Sequence, residues 1–237
     1  MSTTACLSPT LTAQPSLFGR DEPSFDAGFS TLQRHELGRG AWIDHQPGWL
    51  DGHQTIFDRL IKGVQWEQHQ RPMYERLVEV PRLTASLRPA DDRPRISRPA
   101  PSSYPDPRRD PSPTLVEGGR GLSVINAMAR ALGARYGCDF EQIGVALYRD
   151  GNDSVAWHGD QVARDRTRAV VATVSVGEPR PFRLRPKNGG PGRSWSLGHG
   201  DVVVMGGTCQ RTWDHAVPKV ARAGPRIVIM FRPRWVT

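Results

Sequence analysis

The chain has 237 residues, 37% of them hydrophobic and 24% charged. That is enough to bury one sizeable core and too little for two full domains, so one domain with appendages is expected. The formal net charge is +8 and only Lys62, Lys187 and Lys219 are lysines; this arginine-dominated balance favours a polyanionic partner such as nucleic acid, although a GC-rich genome also enriches arginine.

No run of about 18 apolar residues occurs, and the first residues lack the basic and apolar regions of a secretory signal. A soluble, cytoplasmic, monomeric protein without a membrane partner is therefore expected, nucleoid-associated if the source is bacterial. Cys6, Cys138 and Cys209 lie far apart without CxxC spacing, which favours reduced thiols over disulfides or a cysteine zinc site.

Residues 1–35 are rich in Ser, Thr, Pro and Asp without periodic apolar positions and predict a flexible leader, with residues 36–237 as the single domain. From Leu37 to Val80 buried positions appear. Ile56, Leu60 and Ile61 have helical spacing there, predicting a short helix over Gly52 to Lys62 capped by Asp51 or Thr55. Between Leu87 and Glu117 the chain is dense in Pro, Arg, Asp and Ser, including Arg88, Arg93, Arg95, Arg98, Arg108 and Arg109. It predicts a long basic loop, either solvated or a flap over nucleic acid.

Leu122, Ile125, Ala129, Leu132 and Tyr136 recur at three and four residues, so Gly121 to Tyr136 is a predicted amphipathic helix with Gly137 at its end. Short apolar segments separated by glycine turns follow: Ile143 to Tyr148, Ser154 to Trp157, Ala169 to Val176, Phe182 to Arg185, Val202 to Met205 and Ile227 to Phe231. Many short strands behind packing helices predict a mainly β fold (α+β), an antiparallel sandwich or jelly roll.

Chemistry concentrates in this second half. In VAWHGD, His158 and Asp160 are two residues apart and on a strand project to one face, the spacing for two ligands on one metal. His215, in RTWDHAVP after Gly206 and Gly207, is the candidate third ligand. Two imidazoles and a carboxylate occupy one face of an octahedral iron and leave open positions for a bidentate oxo-acid and dioxygen. Arg226 and Arg232 lie six apart in RIVIMFRPRW and face the same way. Buried among apolar residues they need carboxylate partners, which a dicarboxylic cosubstrate offers. On a straight strand their alpha carbons are about 20 Å apart, so a shared small ligand requires converging side chains or a bent strand.

These residues resemble the AlkB family of Fe(II) and 2-oxoglutarate-dependent dioxygenases. The likeness covers roughly Ile143 to Trp235, with HGD at His158, HGDVVVMGG at His199 to Gly207, DH at Asp214 and His215, and the Arg226/Arg232 pair in the family's order. More loosely, Trp66 to Ser86 looks like the nucleotide-recognition region preceding the family's core, so residues 66–118 are expected to hold that region and the basic loop, and 143–235 the catalytic core.

The resemblance implies a double-stranded β-helix in which His158, Asp160 and His215 hold Fe(II), while Arg226, Arg232 and Tyr148 hold 2-oxoglutarate. It also implies the reaction: 2-oxoglutarate and O2 are consumed, an N-methyl group of an alkylated base in DNA or RNA is hydroxylated, and formaldehyde leaves the repaired base. The chain departs from the family at Gln161 and Val162, where members acting on methylated bases carry acidic residues, with Asp165 the nearest carboxylate; at Ala146, where the family has Asn; and at Val228 and Met230. Both arginines, the stronger charge-assisted contacts, are kept.

Candidate substrate contacts are Tyr74, Arg82, Arg164, Asp165 and Trp157. Trp157 offers a flat surface for stacking a base, but strand alternation points it away from His158, which favours ordinary core packing over stacking. Arg149, Arg164, Arg166, Arg168, Arg180, Arg183, Arg185 and Arg193 cluster around the predicted site as candidate phosphate contacts. Two other functions fit less of the pattern: a 2-oxoglutarate-dependent hydroxylase of a protein or small molecule, and a nucleic-acid-binding or cupin-like module without catalysis.

Overall fold

Alternating burial along the strands sorts the chain into layers. The computed structural model describes residues 22–73, 76–87, 119–160 and 168–233. In chain order these carry β1 (Ser24–Phe25), β2 (Gln33–Gly38), β3 (Ala41–Gln46), β4 (Leu50–Asp51), α1 (His53–Gly63), β5 (Glu67–Met73), β6 (Arg76–Leu87), α2 (Gly119–Tyr136) and β7 (Gln142–Tyr148). Next come β8 (Val155–His158), β9 (Val171–Gly177), β10 (Arg180–Pro186), β11 (Arg193–Leu197), β12 (Val202–Gly207), a four-residue helix α3 (Cys209–Thr212), β13 (Trp213–Val217) and β14 (Arg226–Arg232).

The larger sheet has the order β2-β3-β12-β9-β14-β7-β6-β5 and the smaller one β11-β10-β13-β8, with antiparallel pairing throughout. One face of the larger sheet, through Val145, Leu147, Val174, Val176, Val204, Ile227, Ile229 and Phe231, packs with Ile56, Leu60, Ile125, Met128 and Leu132 of α1 and α2. The other face supplies Ala146, Tyr148, Val171, Val203, Met205 and Val228 to a second core shared with Phe182, Leu184, Leu197 and Val217 of the smaller sheet. Helices, large sheet and small sheet are thus three layers around two apolar seams, a jelly-roll arrangement.

Both predicted helices are present, shifted by one or two residues at their ends. The leader differs from expectation. β1 and β2 begin before residue 36, Phe29 is buried in the helix-side core and stacks on Trp49, and Asp26 accepts hydrogen bonds from Ser30 and Gln46. Residues 1–21 and the predicted basic loop at 88–118 lie outside the described residues, and among those described no helix is long and apolar enough to cross a membrane.

The region expected to recognise nucleotides holds the β5–β6 hairpin, and β6 pairs with β7, so it extends the main sheet. Its register slips between Gln68/Leu83 and Gln70/Glu79. The extra residues on β6 bulge toward β8, where Ser154 N–H donates to the Pro81 carbonyl at 2.7 Å.

Candidate active site

The two histidines meet because their strands pair. His158 ends β8 and lies directly opposite His215 of β13, with ring centroids 4.2 Å apart. Asp160 lies two residues past the strand end, not on the strand as its spacing suggested, and a contact with α3 aims it. Gln210 Oε1 accepts its backbone N–H at 2.8 Å. A side chain on the intervening Gly159 would run into the Gln210 carbonyl, so the segment His158–Gly159–Asp160 closes onto α3 only with glycine at its centre. The ligand atoms of His158, Asp160 and His215 all lie within 4.8 Å of one another.

Their protonation suits a cation. His158 Nδ1 lies 2.8 Å from the Ala156 carbonyl; a carbonyl only accepts, so Nδ1 carries the proton and the Nε2 lone pair is free to ligate. Burial pushes His215 down to about 4, which keeps it neutral near pH 7. Burial opposes charge on Asp160, but Arg232, His215 and His158 outweigh it and hold the carboxyl below its ordinary range. Two imidazoles and an ionised carboxylate on one side of a cavity are a donor set suited to Fe(II) with positions left open.

The cavity runs inward between the sheets, lined by the triad and by Tyr148, Thr173, Met205, Arg226, Val228, Met230 and Arg232. Residues 226, 228, 230 and 232 share one strand face, which brings both arginines into this space. They have separate tasks. Arg232 donates to Asp160 Oδ1 at 3.2 Å and contacts Met230 Sδ at 3.2 Å, so it holds the carboxylate ligand. Arg226 is 1% exposed, donates to Ser175 Oγ at 2.8 Å, and has Nε and Nη1 without a hydrogen-bond partner. Burial lowers its pKa to about 10, against the pull of Tyr148, so it remains a cation. A buried guanidinium with unfilled donors costs several kcal/mol unless an anion meets it. A carboxylate group is what this end of the cavity fits.

Residues 46–232 match the 2OG-Fe(II) oxygenase superfamily. The chain belongs to that superfamily. It is 27% identical over 198 residues to alpha-ketoglutarate-dependent dioxygenase alkB homolog 3 of Bos taurus, covering 78% of this chain and 64% of that protein. It is 29% identical over 224 residues to DNA oxidative demethylase ALKBH2 of Arabidopsis thaliana, covering 83% and 68%. These relatives place the oxygenase in the AlkB family; the chain spans 57% to 64% of the length of its alkB homolog 3 relatives. Among solved structures, a 2OG-Fe(II) oxygenase family oxidoreductase from Burkholderia pseudomallei aligns with 80% of this chain and 84% of its own at 14% identity and a TM-score of 0.49. OsALKBH1 aligns with 86% and 100% at 18% identity and 0.48.

The cofactors of a 2OG-Fe(II) oxygenase are Fe(II), 2-oxoglutarate and O2, and the triad and Arg226 are the residues here that fit the first two. Tyr148 is buried with its ring 5.3 Å from the Arg226 guanidinium, on the cosubstrate side of the cavity. Arg82 lines the cavity and donates to the Ser154 carbonyl at 3.4 Å. Tyr74, Arg164 and Asp165, with Gln161, Val162 and Arg166, lie outside the described residues.

Arg180 is corrected as a phosphate contact. It is fully buried and donates to the carbonyls of Asp150, Asp153 and Pro218, tying the loop after β7 to the one after β13. Arg149 is likewise engaged by Asp153 at 2.8 Å, whereas Arg183, Arg185 and Arg193 are exposed. Trp157 is not core: at 38% exposure it is the large hydrophobic left at the surface among the described residues. Sequence reasoning missed Gln210 and Ser175. Neither lies in a motif of its own, and their partners Asp160 and Arg226 are 50 and 51 residues away.

Proposed function

We propose that this oxygenase is an oxidative demethylase of N-alkylated bases in DNA or RNA. The observation that carries the cosubstrate half is Arg226: a buried cation with two unfilled donor nitrogens, in the same cavity as a two-histidine, one-carboxylate set. Bound Fe(II) and 2-oxoglutarate supply the oxidation, coupling decarboxylation of the oxo-acid to hydroxylation of a methyl C–H bond by O2. The chain's own residues position it. His158, Asp160 and His215 hold the metal, Arg232 fixes Asp160, Arg226 with Ser175 and Tyr148 takes the distal carboxylate, and Met205, Val228 and Met230 keep water from the cavity.

The base half is supported by the two AlkB relatives, one of which is named a DNA oxidative demethylase, and by the chain's net charge of +8. A wider cavity of about 570 Å3 adjoins the inner one, sharing Arg82, Val155, His158 and Val217 as walls, and is large enough to admit a base to the metal face. Anaerobic titration with Fe(II) and 2-oxoglutarate is expected to give the charge-transfer absorption of the ternary complex, lost in His158→Ala. With O2, oligonucleotides containing 1-methyladenine or 3-methylcytosine are expected to lose their methyl groups as formaldehyde. An absorption band without turnover on any single- or double-stranded oligonucleotide overturns the base assignment and leaves an oxygenase of another substrate.

A further inference from the structure

The strand that delivers His158 to the metal turns its neighbour outward. Between the pairs Val155↔Val217 and His158↔His215, β8 advances three residues while β13 advances two, a bulge that leaves Ala156 and Trp157 exposed together. Trp157 therefore stands on the outer face of the smaller sheet, one residue from a metal ligand and on the opposite side of the strand. On β10, Arg183 and Arg185 alternate with buried Phe182 and Leu184 and share that outer face. The Arg185 guanidinium lies 4.4 Å from the centre of the Trp157 ring. Trp157 and Arg183 also line the 570 Å3 cavity, with Arg82 and Lys219.

We infer that this outer face, built on Trp157 and Arg185, docks a single strand of nucleic acid beside the reacting nucleotide, one unmodified base stacking on the Trp157 ring while backbone phosphates meet Arg183, Arg185 and Lys219. An exposed indole gives every base an apolar plane, and guanidiniums beside it supply the phosphate partners. The nearby acids do not cancel this. Asp214, outside the cavity lining, is shared between Arg185 and Lys187 at 3.6 Å each, and Glu79 is the carboxylate that lines the cavity. A duplex keeps its bases stacked inside and offers nothing to the indole, so the surface selects a single strand. This rests on the nucleic-acid part of the proposed function; it adds a stretch of strand that the metal cavity does not contain.

The test is equilibrium binding of the full chain, without iron or 2-oxoglutarate, to unmethylated single-stranded DNA, to an abasic strand of equal length, to duplex and to polyglutamate. Trp157→Ala is expected to weaken binding of the single strand roughly tenfold, as loss of one base stack implies, and to leave the abasic strand unchanged, with Trp157→Phe restoring most of the difference. Arg185→Ala is expected to lower the salt dependence by about 0.7 in the slope of log K against log salt, one phosphate contact on a single strand. Equal losses on normal and abasic strands, unchanged binding in Trp157→Ala, or the same Trp157 dependence for duplex or polyglutamate each overturn the inference. Turnover of methylated oligonucleotides by the wild type is measured in parallel: turnover with no Trp157 effect sinks the docking face alone, and a Trp157 effect with no turnover sinks the demethylase reading alone.

Discussion

Arg226 shows how one residue can be costly to the fold and necessary to the site. Its side chain is 1% exposed, anchored by one hydrogen bond to Ser175, and surrounded by Tyr148, Val228 and the buried Arg180 nearby. Replacing a poorly compensated buried cation by an apolar side chain of similar length is often neutral or stabilising by about 1–4 kcal/mol. Arg226→Met is therefore expected to raise the thermal midpoint of the metal-free protein by a few degrees, at about 2–4 °C per kcal/mol for a chain of this size. The same variant is expected to weaken 2-oxoglutarate binding on the order of 100-fold, since a charge-assisted contact is lost. Calorimetric unfolding and ligand titration measure the two effects separately. A variant that is less stable and binds 2-oxoglutarate normally would falsify the role given to Arg226.

At the scale of elements, the strands that build the metal face and the cosubstrate wall were readable to different degrees. β7, β9, β12 and β14 run through the middle of the larger sheet with both faces buried, so they are long apolar segments that stand out in the sequence. β2, β5 and β11 are edge strands of sequence QRHELG, EQHQRPM and RSWSL; with little apolar content to alternate, they exist through pairing with a neighbour. The metal triad was legible because HxD and DH are chemical patterns, while the β8 bulge that exposes Trp157 is set by its register against β13, some 60 residues away, and leaves no local signal. The α3 turn is similarly hidden, and it carries its own prediction. Gln210 holds the Asp160 backbone and is not one of the three candidate ligands, so it is a positioning residue. Gln210→Ala is expected to weaken Mn(II) binding about 10- to 100-fold, the range for loss of a supporting contact around a metal ligand. Gln210→Glu keeps the accepting oxygen and is expected to restore most of that affinity. Equal affinity in all three proteins would show that α3 does not set the ligand geometry.

For the whole molecule, the site joins the two sheets at one point. His158 and His215 belong to the smaller sheet, Arg226, Ser175 and Tyr148 to the larger, and Asp160 is tied across the gap to Arg232 of β14. Elsewhere the facing surfaces meet through apolar packing, so this polar end is where a buried carboxylate and unfilled donors work against closure. A metal on the triad offsets the first and a dicarboxylate on Arg226 the second. A ligand present at about 100 times its Kd adds about 2.7 kcal/mol to stability, on the order of 5–10 °C in a chain of this length. Mn(II), which binds without turning over, is expected to raise the unfolding midpoint alone. 2-Oxoglutarate is expected to add a shift of similar size only when Mn(II) is present, because one molecule then engages both sheets. His215→Ala removes the first shift and with it most of the second, whereas Arg226→Met removes the second and keeps the first. Independent, additive shifts for the two ligands in the wild type would mean that they occupy separate places, and the cavity would not be a shared site for metal and cosubstrate.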